Sequence, residues 1–179
     1  MKKTALITGS YRGLGLETAR QLAQIGYSVI ITARSKDKAK LAASSLDSIS
    51  DQVHYHQLDI NSQESVNKIK SWVQSEFGRL DVLVNNAAIN YDTWNSALAA
   101  DLDEIQQTLD TNLMGAWRMA QAFLPQMKDT GYGRIVNVSS GAVALSGMGE
   151  EHRAIVFRKQ LLMYFPLNWL LRYQTRTFW

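Results

Sequence analysis

The sequence contains no cysteine among its 179 residues. This excludes disulfide bonds and every zinc site built on cysteine thiolates. The absence fits a reducing compartment, and we expect the cytoplasm. His54 and His56 alternate in a strand-like segment, but no third ligand follows at a suitable spacing, so we predict no metal site.

Long apolar runs are also lacking. The apolar stretch after Met1-Lys2-Lys3 is broken at Thr8, too early for a signal-peptide core or a membrane span. The formal net charge of +3 is too small to indicate nucleic-acid binding. We therefore predict neither a membrane nor a nucleic-acid partner.

Acidic residues are missing from one end of the chain. All 16 lie at or before Glu151, whereas residues 152–179 hold five basic residues and seven of the aromatic ones. This change in composition predicts a boundary, with a folded domain over residues 1–149 and a different tail over residues 150–179. The apolar and basic residues of that tail leave open an alternative in which it lies on an anionic membrane surface.

What the sequence does contain is a regular alternation of strand and helix signals. Such an alternation predicts an α/β fold, a doubly wound, Rossmann-type parallel sheet with helices on both faces. The strand-like segments are 4–8, 28–32, 53–58, 81–84 and 134–138, and the helix-like segments are 14–25, 36–49, 62–77 and 101–127.

A glycine-rich turn joins the first strand to the first helix, in Thr8-Gly9-Ser10-Tyr11-Arg12-Gly13-Leu14-Gly15. Glycines let the backbone bend tightly and approach a ligand, and the helix that follows offers free N–H groups to a phosphate. The turn therefore predicts a site for a dinucleotide pyrophosphate; an ordinary tight strand–helix turn is the alternative.

Two arginines indicate which dinucleotide is bound. Arg34 ends the second strand, where an acidic residue would favour NAD and an arginine accommodates the 2′-phosphate of NADP. Arg12 adds a second positive charge within the glycine-rich turn. Both predict NADP(H), unless they are solvated surface charges. Asp59 follows the third strand, where it either accepts a hydrogen bond from adenine or initiates the next helix.

These motifs together resemble the short-chain dehydrogenase/reductase family, from Thr4 to about Met148, and Arg12 with Arg34 is similar to its NADPH-dependent carbonyl reductase branch. Asn85-Asn86-Ala87-Ala88 looks like the family's Asn-Asn-Ala-Gly element, with Ala88 in place of glycine. The resemblance implies cofactor contacts from the turn, from the ends of the second and third strands and from this element. The cofactor residues predicted are Gly9, Ser10, Tyr11, Arg12, Gly13, Leu14, Gly15, Arg34, Asp59, Ile60, Asn86, Ala87 and Ala88.

The resemblance also implies two catalytic positions. Asn112 matches the helix asparagine that helps to organise a proton-relay water, and Ser140 matches the serine that hydrogen-bonds the substrate carbonyl. The implied activity is NADPH-dependent reduction of a small carbonyl compound to an alcohol. In this family a tyrosine, with a lysine four residues later, supplies the proton.

That tyrosine–lysine pair is absent from this sequence. Arg153 stands near the expected tyrosine, no Tyr-x-x-x-Lys occurs anywhere, and the family's last strands do not follow, so we expect the sheet to be incomplete on its C-terminal side. Read one base out of frame with permitted codons, residues 151–161 yield a Tyr-x-x-x-Lys helix, with the tyrosine triplet across Ala154 and Ile155. We therefore predict a frameshifted tail and impaired turnover; a catalytically inactive NADP-binding module is the alternative, and the oligomeric state stays open.

Overall fold

The computed structural model describes residues 2–89 and 101–139, in which five strands form one parallel sheet. The strands are β1 (Thr4–Ile7), β2 (Ser28–Ala33), β3 (Val53–Gln57), β4 (Val82–Asn85) and β5 (Arg134–Asn137). Their order in the sheet is β3-β2-β1-β4-β5, with the register pairing Ile7 of β1 to Ile31 of β2 and to Val84 of β4. The predicted doubly wound sheet is confirmed.

Helices cover both faces of this sheet. They are α1 (Gly13–Gln24), α2 (Lys36–Ser44), α3 (Gln63–Phe77), α4 (Leu102–Leu109) and α5 (Ala116–Asp129), and a π-helical segment, Asp110–Gly115, joins α4 to α5. Alternate strand residues point to opposite faces. Ile7 and Ile31 therefore pack with the alanines of α1 and α2, whereas Leu6 and Ile30 pack with α3 and α5.

Two predicted helices differ in detail. The helix expected over residues 36–49 ends at Ser44, because Ser45 turns back to donate its hydroxyl to the carbonyl of Ala42 at 2.6 Å and the chain continues in tight turns. The helix expected over residues 101–127 is present but widens into the π-helical segment. Ser140 and the tail, residues 150–179, lie outside the described residues.

Across residues 2–89 and 101–139, no helix combines the length and apolar character that crossing a bilayer requires.

Candidate functional site

The predicted site residues converge on one edge of the sheet. The chain leaves β1 toward β2 on one side, and β4 pairs on the other side of β1, so the strand order reverses between β1 and β4. In open α/β sheets, ligands bind at the carboxyl ends of the strands beside such a reversal. The glycine-rich turn, the end of β2 and the Asn86–Ala88 segment all lie at this edge.

Hydrogen bonds from two hydroxyl groups connect the glycine-rich turn to β2. Ser10 is fully buried; its hydroxyl donates to the Ile7 carbonyl at 2.8 Å and accepts the N–H of Thr32 at 3.0 Å. The Thr32 hydroxyl donates to the same Ile7 carbonyl at 2.9 Å and accepts the N–H of Gly9 at 3.2 Å. The Ser10 side chain therefore stabilises the conformation of the turn by bonding it to β1 and β2.

The three glycines of the turn are required by backbone conformation, by close approach of a neighbouring residue, or by both. Gly9 has φ of 62°, and a Cβ placed there would lie 3.0 Å from the Cα of Ala87. Gly13 has φ of 58°, also in the left-handed region. Gly15 has no such dihedral, but a Cβ on it would lie 2.5 Å from the Asn86 amide nitrogen. Glycine is thus required twice by close approach and twice by backbone conformation.

Thr8 and Asn86 fasten the turn to the end of β4. The buried Thr8 hydroxyl accepts the N–H of Asn86 at 3.0 Å and the N–H of Ala87 at 2.9 Å. In return, the Asn86 amide donates to the carbonyl of Thr8 at 2.9 Å and to that of Gly9 at 3.3 Å. Ala87 is half-buried beside Gly9, and Ala88 is exposed.

Helix α1 begins without a side-chain cap. Its N-cap residue is Arg12, which has no acceptor atom to offer, whereas Ser35, Ser62 and Asp101 cap α2, α3 and α4 by accepting a first-turn N–H. Uncapped N–H groups at a helix N-terminus bind anions. The arrangement suits a pyrophosphate, with Tyr11 half-buried and Arg12, Gly13 and Leu14 exposed along the turn.

Three basic residues belong to the segments that meet at this edge of the sheet. Arg12 and Arg34 are exposed, and the ammonium of Lys38 in α2 lies 5.6 Å from the centre of the Tyr11 ring. Within the part of the chain that the structure describes, none of the three belongs to an ion pair. Sequence analysis did not predict Lys38 as a site residue. Its position in the first turn of α2, directly after Arg34 and Ser35, could have indicated it.

One carboxylate near the start of α1 already has partners within the helix. Glu17, one turn into α1, is engaged by its own helix: hydrogen bonds from Arg20 and then Gln21 lower its pKa to about 2.

The loop after β3 contains two predicted cofactor residues. Asp59 Oδ1 accepts the N–H of Asn61 at 3.0 Å, so its side chain stabilises the turn that precedes α3. The N-cap of α3 itself is Ser62. Ile60 is buried in the core, where a Cβ on Gly115 would lie 2.6 Å from its Cδ1. Only the backbone of Ile60 is therefore suited to contact a ligand.

Asn112 lies within the π-helical segment and holds the chain that follows β4. Its Oδ1 accepts the N–H of Ile89 at 2.9 Å, and its Nδ2 donates to the carbonyl of Ile89 at 3.0 Å. Such wide turns often occur at functional sites. The other predicted catalytic residue, Ser140, lies outside the described residues, directly after Ser139.

The histidines of β3 pack against aromatic rings. His54 lies edge-on to Phe77 with the ring centres 4.9 Å apart, and His56 lies 5.0 Å from Trp72. Among residues 2–89 and 101–139, no group of three metal-ligating side chains occurs.

A model of the short chain dehydrogenase family matches residues 3–151. The chain belongs to this family. It is 34% identical to (+)-neomenthol dehydrogenase of Arabidopsis thaliana, over 82% of this chain and 56% of that protein. It is 36% identical to human carbonyl reductase [NADPH] 3, over 77% of this chain and 49% of that protein.

Solved structures of the family share the fold. A tyrosine-to-phenylalanine variant of ElxO with NADPH bound superimposes with a TM-score of 0.86 at 30% identity, over 96% of this chain and 68% of that one. The chain spans about half the length of the curated relatives described above.

Proposed function

We propose that this chain binds NADP(H) at the glycine-rich turn. This proposal rests on the uncapped start of α1 and on three basic residues at the same edge of the sheet, none of which forms an ion pair with another described residue. The pyrophosphate would accept hydrogen bonds from the first turn of α1. Arg12, Arg34 and Lys38 would hold the 2′-phosphate.

The strand order supports a proposed position for the adenine end and for the nicotinamide end of the cofactor. Asp59 and the backbone of Ile60 would border the adenine, beyond the end of β3. Asn86, Ala87 and Ala88 would border the cofactor where it crosses from β1 to β4. Ser10 would contribute indirectly, because its hydroxyl is already used to hold the turn to β2.

The proposed reaction is reduction of a small carbonyl compound to an alcohol. The bound cofactor would supply the hydride. Ser140 would donate a hydrogen bond to the carbonyl oxygen, and Asn112 would keep the segment after β4 in place through Ile89. We propose the cytoplasm as its compartment, since the chain has no cysteine.

Because the sequence contains no Tyr-x-x-x-Lys element, we propose that this chain turns over its substrate slowly. The family match ends at residue 151, close to where the composition changes. We propose a domain over residues 1–149 followed by a frameshifted tail over residues 150–179. Loss of the general acid alone lowers rates by about 10²–10⁴-fold. Sequencing the coding DNA tests this directly, since any Ala154 codon other than GCT contradicts the shifted tyrosine.

A second candidate function is NADP binding without turnover. The ElxO variant with NADPH bound lends it support, because that protein takes the cofactor with a tyrosine replaced. The two functions are separated by comparing NADPH oxidation, over a set of aldehydes and ketones, between this chain and a version with the reading frame restored. Equal rates in both versions would contradict the impairment.

Calorimetric titration of the full chain with NADP⁺ and NAD⁺ tests the binding site. We expect NADP⁺ to bind more tightly than NAD⁺ to the unmodified chain. Arg34→Glu should weaken NADP⁺ binding by about 10–100-fold, as for loss of a charged hydrogen-bond partner, whereas NAD⁺ binding should not weaken, because a carboxylate at this position can accept a hydrogen bond from its 2′-hydroxyl. Lys40→Glu, the same charge change further along α2, is the matched control and should leave the preference for NADP⁺ intact. Tighter binding of NAD⁺ by the unmodified chain would overturn the proposal.

A further inference from the structure

We infer that Tyr11 sets the preference for a 2′-phosphate by gathering Arg12 and Lys38 around its ring. This inference rests on the proposed function and concerns the same site. Tyr11 was predicted as a cofactor residue only because it lies in the glycine-rich turn. The structure assigns its side chain a more specific task.

The Tyr11 ring stands between the protein core and the charged edge of the site. It is half-buried and packs against the apolar cluster of β1, β2, α1 and α2, whose members include Ala19 and Ala42. An aromatic ring anchored in this way has little rotational freedom. It therefore offers a fixed surface beside the start of α1.

Two cations from different elements meet at this ring. The Arg12 guanidinium carbon lies 5.2 Å from the ring centre, and the Lys38 ammonium lies 5.6 Å from it. Both distances are within the roughly 6 Å over which a ring face attracts a cation. Arg12 comes from the turn and Lys38 from α2, so the ring joins two segments that are 26 positions apart in the chain.

Placing Arg12 and Lys38 at the same ring costs free energy because their positive charges repel, and only an anionic ligand offsets this repulsion. Like charges repel, and neither Arg12 nor Lys38 forms an ion pair within the described part of the chain. The negative face of the Tyr11 ring offsets part of that repulsion. A doubly charged phosphate offsets the remainder, whereas the 2′-hydroxyl of NAD does not. A pre-assembled pair of cations thus discriminates between the two cofactors.

Replacing the ring without changing its shape is the sharpest test. In the full chain, Tyr11→Phe keeps the ring face, whereas pentafluorophenylalanine at position 11 keeps the shape but reverses the charge distribution of the face. We expect Tyr11→Phe to bind NADP⁺ within about 2-fold of the unmodified chain, and the fluorinated variant to bind it about 3–10-fold more weakly, with NAD⁺ unchanged. Tyr11→Leu should behave like the fluorinated variant.

Two controls exclude a merely structural effect. Tyr27→Leu removes another half-buried ring that packs against the same cluster, and it should leave the ratio of NADP⁺ to NAD⁺ affinity unchanged. The second control replaces the cofactors by 2′-phospho-AMP and 5′-AMP, and only the former should respond to fluorination.

The outcomes separate the two levels of the proposal. NADP⁺ binding that fluorination leaves unchanged, or equal weakening of NADP⁺ and NAD⁺, would overturn the role of Tyr11 while the proposed function stood. Absence of binding by either nucleotide to the unmodified chain would overturn the proposed function and this inference together.

Discussion

Thr8→Val removes a hydroxyl that joins the ends of two strands while keeping the shape of the side chain. Thr8 is 1% exposed, and its Oγ1 accepts the N–H groups of Asn86 and Ala87 at 3.0 and 2.9 Å. Each N–H left without a partner costs about 1–3 kcal/mol. Because both lie at a partly buried edge, we expect the free energy of unfolding to fall by about 2–4 kcal/mol.

That loss is large beside a total stability of roughly 5–15 kcal/mol for a domain. For a chain of this size it corresponds to a fall in melting temperature of roughly 4–16 °C. Urea unfolding followed by tryptophan fluorescence measures it. Binding of NADP⁺ should weaken as well, since Thr8 and Asn86 hold the turn against the end of β4.

Thr18→Val is the matched control for this prediction. Its hydroxyl donates at 2.8 Å to the carbonyl of Leu14 in an exposed position of α1, so its loss leaves no buried group unpaired. We expect a change within about 0.5 kcal/mol. Equal effects of Thr8→Val and Thr18→Val on the unfolding free energy would refute the reasoning that Thr8 joins the strands.

Two further predictions concern packing and pH. Gly115→Ala should lower the free energy of unfolding by about 1–3 kcal/mol, because the new methyl group would lie 2.6 Å from Ile60 Cδ1. Adding Ile60→Ala, which removes Cδ1 and also Cγ1 at 2.7 Å, should make the loss in the double variant smaller than the sum of the two single losses; additive effects would contradict this contact. His54 has a buried Nε2 without a partner among the described residues, and burial lowers its pKa below the ordinary 6.5. Protonation therefore favours the unfolded chain, so stability should fall as the pH drops below about 6.5. Replacing the ring that faces Phe77, in His54→Phe, should flatten the pH dependence of urea unfolding between pH 7 and 5; an equal flattening by His56→Phe would contradict the assignment.

The fold was predictable because its signals are local. Buried parallel strands carry unbroken apolar runs, such as Val29-Ile30-Ile31, and polar or glycine residues end them. The glycine-rich turn and Arg34 were predictable for the same reason: their positions follow from the order of strand, turn and helix.

The features that sequence reasoning missed depend on contacts between distant segments. Lys38 reaches Tyr11 only through the way α2 packs beside the turn. The π-helical segment forms where Gly115 packs against Ile60 and where Asn112 bonds to Ile89, which is 23 positions earlier in the chain. No helical periodicity encodes such contacts, so the pattern over residues 101–127 predicted an uninterrupted helix.

The hydroxyls of Ser10 and Thr32, which hold the glycine-rich turn to β2, also affect how a ligand binds and leaves. Both hydroxyls donate to the Ile7 carbonyl. These hydrogen bonds lie within the protein, so the conformation of the turn does not depend on a bound ligand. A ligand that meets a prearranged cradle loses little affinity to ordering the protein. Association should therefore be fast and should proceed without a slow rearrangement, so that differences in affinity among nucleotides appear chiefly in how quickly each one leaves.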